Sequence, residues 1–215
     1  GKTLEQSDNI QALGMQAEMR EVHAETGEWP LWTNSMFSGM PGFQILYPTK
    51  NLMKYVSKVF LLGNNMAPPH TGILLMMAGF YLLLVVLGVD WRLSVFGAIG
   101  FGLAPNHMGL AEAGHSTKII ASAYMAPILA SIILTFRGKY WLGGGLTALF
   151  TALQLYANHV QITYYLFISL AIFGIVYLID AIKKGKVPPF LKATGITIIA
   201  VALAISLIPS GGIVL

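Results

Sequence analysis

Six apolar stretches dominate the chain beyond residue 70, at about 71–89, 92–106, 117–136, 140–157, 162–181 and 190–208. Most are near the ~20 residues that an α-helix needs to cross a bilayer core. The second is short, carries Gly97, Gly100 and Gly102, and stops at Pro105. Glycines of this kind let helices approach closely. The fourth opens on Gly143-Gly144-Gly145, which predicts a close helix contact or a kink. The pattern predicts an all-α protein, a polytopic transmembrane helix bundle with about six spans.

Residues 1–68 are patterned differently. Ser7 is the expected N-cap of a helix from about Asp8 to Thr26, stopped by Gly27 with Pro30 beyond. Residues 30–48 mix Gly, Pro and aromatic side chains, too irregularly for a span and too apolar for a disordered linker. This loop is expected to fold against the membrane or over a site. Thr49 is expected to cap a second helix, from about Lys50 to Leu62. Lys50, Lys54 and Lys58 mark one face, and Leu52, Met53, Val56, Val59 and Phe60 cover the other. That is the pattern of a helix lying in the membrane interface; the alternative is an amphipathic helix packed on a soluble core. The chain therefore divides into a loop segment, 1–68, and a bundle, 69–215. It reads as a fragment of a longer chain.

Composition supports the membrane reading. The chain is 55% hydrophobic and 10% charged, where soluble domains carry about 25% charged residues. The net charge of +4 does not point to nucleic acid, because the cations flank apolar spans. Having no cysteine, the chain forms no disulfide and does no thiol chemistry. Arg92, then Arg137 and Lys139, then Lys183, Lys184, Lys186 and Lys192 occupy alternate connectors. The positive-inside rule makes that set cytoplasmic. Residues 1–70, 105–118 and 157–161 are then extracytoplasmic, together with all five histidines.

The connector from Pro105 to Lys118 holds His107, Glu112, His115 and Lys118. Glu112 and His115 are three apart, which on a helical turn shares a face. Lys118, at the mouth of a span and near glycine amides, suits a phosphate at headgroup depth; the plainer reading is a snorkelling lysine. Asn158, His159 and Gln161 sit between the fourth and fifth stretches. The histidines and acids match no tight zinc motif. A hard divalent ion, Mg or Mn, on Asp8 or Glu112 fits their chemistry better.

Four segments carry a resemblance. They are Glu5 to Gln11, Glu28 to Pro41, Glu112-Ala-Gly-His-Ser-Thr-Lys118 and Gln154-Leu-Tyr-Ala-Asn-His-Val-Gln161. Together they resemble the YfhO family of bacterial membrane proteins in its Bacteroidetes form, which is similar to the GT-C glycosyltransferases. The resemblance implies a multi-pass protein of the bacterial cytoplasmic membrane that takes a sugar from a polyprenyl-phosphate donor to an extracytoplasmic glycan, lipid or protein acceptor. It places Asp8 as general base or metal ligand, and Lys118 and His115 on the donor phosphate. Glu112 and His159 would orient reacting groups, with Gln11, Trp32, Asn158 and Gln161 as substrate contacts. The alternatives are a non-catalytic subunit or scaffold of a membrane complex, or a lipid or solute transporter.

Overall fold

The computed structural model describes residues 7–35, 38–42, 46, 52–64 and 69–207, without the side chains of 7–9 and 12. The expected Asp8–Thr26 helix is two helices, α1 (Ser7–Met15) and α2 (Ala17–Thr26), which divide at Gln16. Gly27 ends α2 in the left-handed conformation, as its place after the helix predicts. The loop that follows contains a short antiparallel hairpin, β1 (Trp32–Thr33) with β2 (Met40–Pro41).

Helix α3 (Leu52–Phe60) comes next; Lys50 and the cap at Thr49 lie outside the described residues. Its apolar positions split into two faces. Met53 and Ser57, with Leu61 just beyond the helix, are buried, and Phe60 packs edge-on to Tyr124 and Phe150. Leu52, Tyr55, Val59 and Leu62 are exposed, and so is Lys54. So the helix does pack on a core, which is that of the bundle. It also keeps an apolar stripe beside its lysines, as an interfacial helix requires.

The six apolar stretches all become helices. They are α4 (Pro69–Leu87), α5 (Trp91–Gly102), α7 (Ser116–Phe136), α8 (Tyr140–Tyr156), α9 (Val160–Lys183) and α10 (Val187–Ser206). A further helix, α6 (Pro105–Ala113), follows α5. Four of them, α4, α7, α9 and α10, are long and apolar enough to cross a membrane. Helix α8 has 17 residues and α5 only 12, so α5 rises about 18 Å against a hydrocarbon core of about 30 Å.

Cross-helix pairs fix the directions. Met76 clusters with Ile119 and Ala123, Leu83 with Ala130 and Ile133, and the Arg137 guanidinium donates to the Val86 carbonyl. Helices α4 and α7 are therefore parallel. Phe80 stacks on Phe101 at 4.2 Å while Gly97 approaches Leu84, so α5 runs back along α4. Gln154 bonds the Ala121 carbonyl and Gly143 abuts Thr135, so α8 runs back along α7. Lys192 sits over Tyr140 and Ile196 faces Gly144, so α10 runs with α8. One end of the bundle consequently collects Arg92, Arg137, Lys139, Lys183, Lys184 and Lys186. The opposite end holds His70, Glu112, His115, Lys118 and His159.

Close approach is built in at two glycines. A Cβ on Gly79 would lie 2.8 Å from the Ala123 carbonyl. That carbonyl has no helical partner, because Pro127 four residues on lacks an N–H. Gly143 plays the same part between α8 and α7. The close contact expected from the glycine triplet is present there.

Candidate functional site

The histidine end is assembled from two junctions. Gly114, left-handed at φ 91°, closes α6 and turns the chain into α7. This break separates two residues expected on one helical face: Glu112 is exposed on the last turn of α6, whereas His115 is the N-cap residue of α7. Lys118 is partly buried on the first turn of α7. The second junction joins α8 to α9 through Asn158, left-handed at φ 53°, and His159, the N-cap residue of α9.

The fold places His115 and Lys118 near enough to His159 for their charges to act on its ring. Burial lowers the affinity of the His159 ring for a proton, and the charges of Lys118 and His115 lower it further, against a backbone hydrogen bond that raises it. The ring is held neutral in a positive field, with its Nδ1 buried and without a hydrogen-bond partner. A cluster of this kind attracts an anion. It also gains a proton when one arrives, because a bound negative charge favours the imidazolium. Beneath it, Gln154 is fully buried. Its Nε2 donates to Ala121 O at 3.2 Å, while Oε1 has no partner.

Other candidates stand apart. Gln161 is exposed on α9 and donates to the Tyr165 hydroxyl at 2.9 Å. Asn158 is exposed beside His159. Gln11 is exposed on α1; Asp8 lies on the same helix, but its side chain is outside the described residues. Trp32 is exposed on the hairpin, and its Nε1 donates to Asn34 Oδ1 at 3.2 Å. The five histidines do not form one group. His23 stacks on Trp29 at 3.9 Å, His70 is exposed at the start of α4, and His107 lies deeper in the bundle. Among the described residues no set of three His, Cys, Asp or Glu side chains is placed to hold a metal ion.

Sequence reasoning missed Glu18. Its carboxylate accepts from the Thr33 hydroxyl and from the Ser35 amide at 2.9 Å, and so ties the hairpin to α2. These hydrogen bonds, that of Thr33 first, hold the carboxyl below its usual range. The acid lies fifteen residues from Thr33, which is why no local motif announces it. No family model, curated protein or solved structure matches this chain.

Proposed function

We propose that the protein is an integral-membrane glycosyltransferase of the YfhO-like, GT-C-like kind that the sequence resembles. It would use a polyprenyl-phosphate sugar donor at the extracytoplasmic face of the bacterial cytoplasmic membrane, with residues 1–68 on that side. The observation that carries the reading is the nearness of His115 and Lys118 to His159 at the end of the bundle opposite the arginines and lysines. That is where a phosphate at headgroup depth would be held.

In this reading Asp8 takes the proton from the acceptor hydroxyl. The hydroxyl oxygen attacks the anomeric carbon. The bond from that carbon to the phosphate oxygen breaks, and polyprenyl phosphate leaves with the electron pair. Lys118 and His115 stabilise the charge that develops on it. His159 and Glu112 orient the donor, with Asn158 and Gln161 beside it. Gln11 and Trp32 contact the acceptor. A divalent Mg or Mn ion, if used, would take Asp8 as a ligand.

The test is a transfer assay with protein in membranes and radiolabelled polyprenyl-phosphate sugars, run beside Asp8→Asn and His115→Ala. Transfer that both substitutions abolish supports the reading. Absence of transfer with every donor, from a folded preparation, refutes it. Transport is the second reading, and one observation favours it: His107 lines a cavity inside the bundle, where an ionisable residue commonly marks a solute path.

A further inference from the structure

Helices α5 and α6 form one broken membrane element. Gly102 ends α5 beside Met77, and Pro105 starts α6. The proline has no N–H, so the Phe101 carbonyl four residues back has no α-helical partner there and accepts instead from the Ala104 amide at 3.2 Å. His107 adds a second bond, with Nδ1 at 2.7 Å from Phe101 O. A carbonyl accepts, so Nδ1 carries the proton. In the neutral form of the ring that tautomer has an unprotonated Nε2, which can only accept.

This histidine is not at the surface. It lines a cavity of about 410 Å³ between α4, α7 and α9. Ser122, Met125, Ala126 and Leu129 form the α7 wall. Ser122 and Ala126 stand about 9 and 15 Å along α7 from Ser116, at 1.5 Å per residue. Phe80, which stacks on Phe101, is about 16 Å from the start of α4 by the same measure. The cavity therefore lies within the thickness of the hydrocarbon core. Interrupted backbone at such depth is tolerated only where protein or a water-filled cavity covers it.

Ser122 and His107 lie toward the histidine end of the bundle; Leu83, Leu129 and Phe173 close the opposite end. Ser169 also lines the cavity, but its hydroxyl donates to the Tyr165 carbonyl at 2.9 Å. Leu170 and Phe173 of α9 also line a second groove, and although Leu166 packs into the core most of α9 is not buried, so the cavity borders the lipid.

We infer that this cavity is an intramembrane binding site for a single-chain lipid alcohol. The chain lies along Leu83, Leu129 and Phe173, and the hydroxyl donates to His107 Nε2. The occupant comes from the bilayer because apolar membrane-crossing helices wall the cavity. It carries a donor because the tautomer fixed by Phe101 leaves His107 an acceptor. The inference does not depend on sugar transfer.

The experiment uses the membrane-embedded protein in nanodiscs and a long-chain primary alcohol bearing a mid-chain diazirine and a terminal alkyne. Illumination is followed by mapping of the labelled peptides. The expected labels fall on Met125 and Leu129 of α7, which line the cavity and not the groove. Unlabelled alcohol should compete about tenfold better than the alkane of equal length at the same bilayer fraction, a single hydrogen bond's worth. His107→Phe should abolish that preference while labelling of the groove at Ile198 stays unchanged. Equal competition by the alkane in the wild type would overturn the inference, and that comparison needs no variant. Labels spread evenly over exposed faces such as Phe96 and Ile198, or no labelling in the cavity, would overturn it too.

Discussion

Gly143, Gly144 and Gly145 are consecutive in α8, yet the same Gly→Ala change should give three different results. A Cβ on Gly143 would sit 2.5 Å from the Thr135 amide nitrogen and 2.7 Å from the Ser131 carbonyl oxygen. Both belong to the backbone of α7, and ordinary contact begins near 3.4 Å. The two helices must part by about 1 Å, and a packed interior resists such a shift. Overpacking of this kind costs about 1–3 kcal/mol. Alanine's better helix propensity returns about 1 kcal/mol of it. Gly143→Ala should therefore lose up to about 2 kcal/mol net. At Gly144 the near atom is Ile196 Cγ2 at 2.8 Å, the end of a side chain that can rotate, so the two effects should nearly cancel. Gly145 meets nothing within 4 Å, and alanine there should gain about 0.5–1 kcal/mol. Thermal unfolding of the purified protein reads all three, at about 2–4 °C per kcal/mol for a chain of this size. Gly143→Ala should melt lowest and Gly145→Ala highest. If Gly143→Ala melts with or above Gly145→Ala, the α7–α8 seam is not packed as described.

Three further outcomes are expected. His159 has a lowered proton affinity in the folded protein, so the unfolded chain binds its proton first; stability is full above the ordinary value of 6.5 and falls as pH drops through the lower folded value. A pH series of melting temperatures should show this slope, and His159→Gln should flatten it. The Glu18 carboxyl is lowered too, so its hold on the hairpin is present above the usual carboxylate range and is lost as pH falls through the folded value; Glu18→Gln should speed amide exchange at Ser35 at neutral pH, and unchanged exchange would refute the clamp. The Asp180–Lys184 pair spans 2.8 Å but is exposed on both sides, so Asp180→Asn should move stability by under about 0.5 kcal/mol, against the larger change at Gly143.

The helices were legible because burial in a bilayer imposes long apolar runs, and α4, α7, α9 and α10 satisfy that rule at their full length. The breaks were less legible. Nothing in the run from Asp8 to Thr26 demands a division at Gln16, which adopts a helical backbone itself. At α3 the spacing of the apolar positions predicts one face. Met53 and Phe60 turn to the bundle while Leu52 and Val59 turn away, a choice made by Tyr124 and Phe150, about 65 to 95 residues further along.

The site was legible as residue types and not as an arrangement. Spacing placed Glu112 and His115 on one face, but Gly114 breaks the helix between them, and only its left-handed φ decides the matter. Lys118 and His159 are distant in sequence and come near because α7 and α9 start at one level. The same register moves His107 the other way. In the sequence it belongs to a polar connector; in the fold, α5 is too short to reach the end of α4, and its break stays at the depth of Phe80. Two polar sites thus come from one connector. The first, with Lys118, can hold a charge at the membrane surface. The second, with a histidine that donates through Nδ1 and accepts through Nε2, suits an uncharged hydroxyl inside the membrane. A chain that binds phosphate at His115 and Lys118 but shows no preference for alcohol over alkane at His107 would retain the first and lose the second, so the two proposals stand or fall separately.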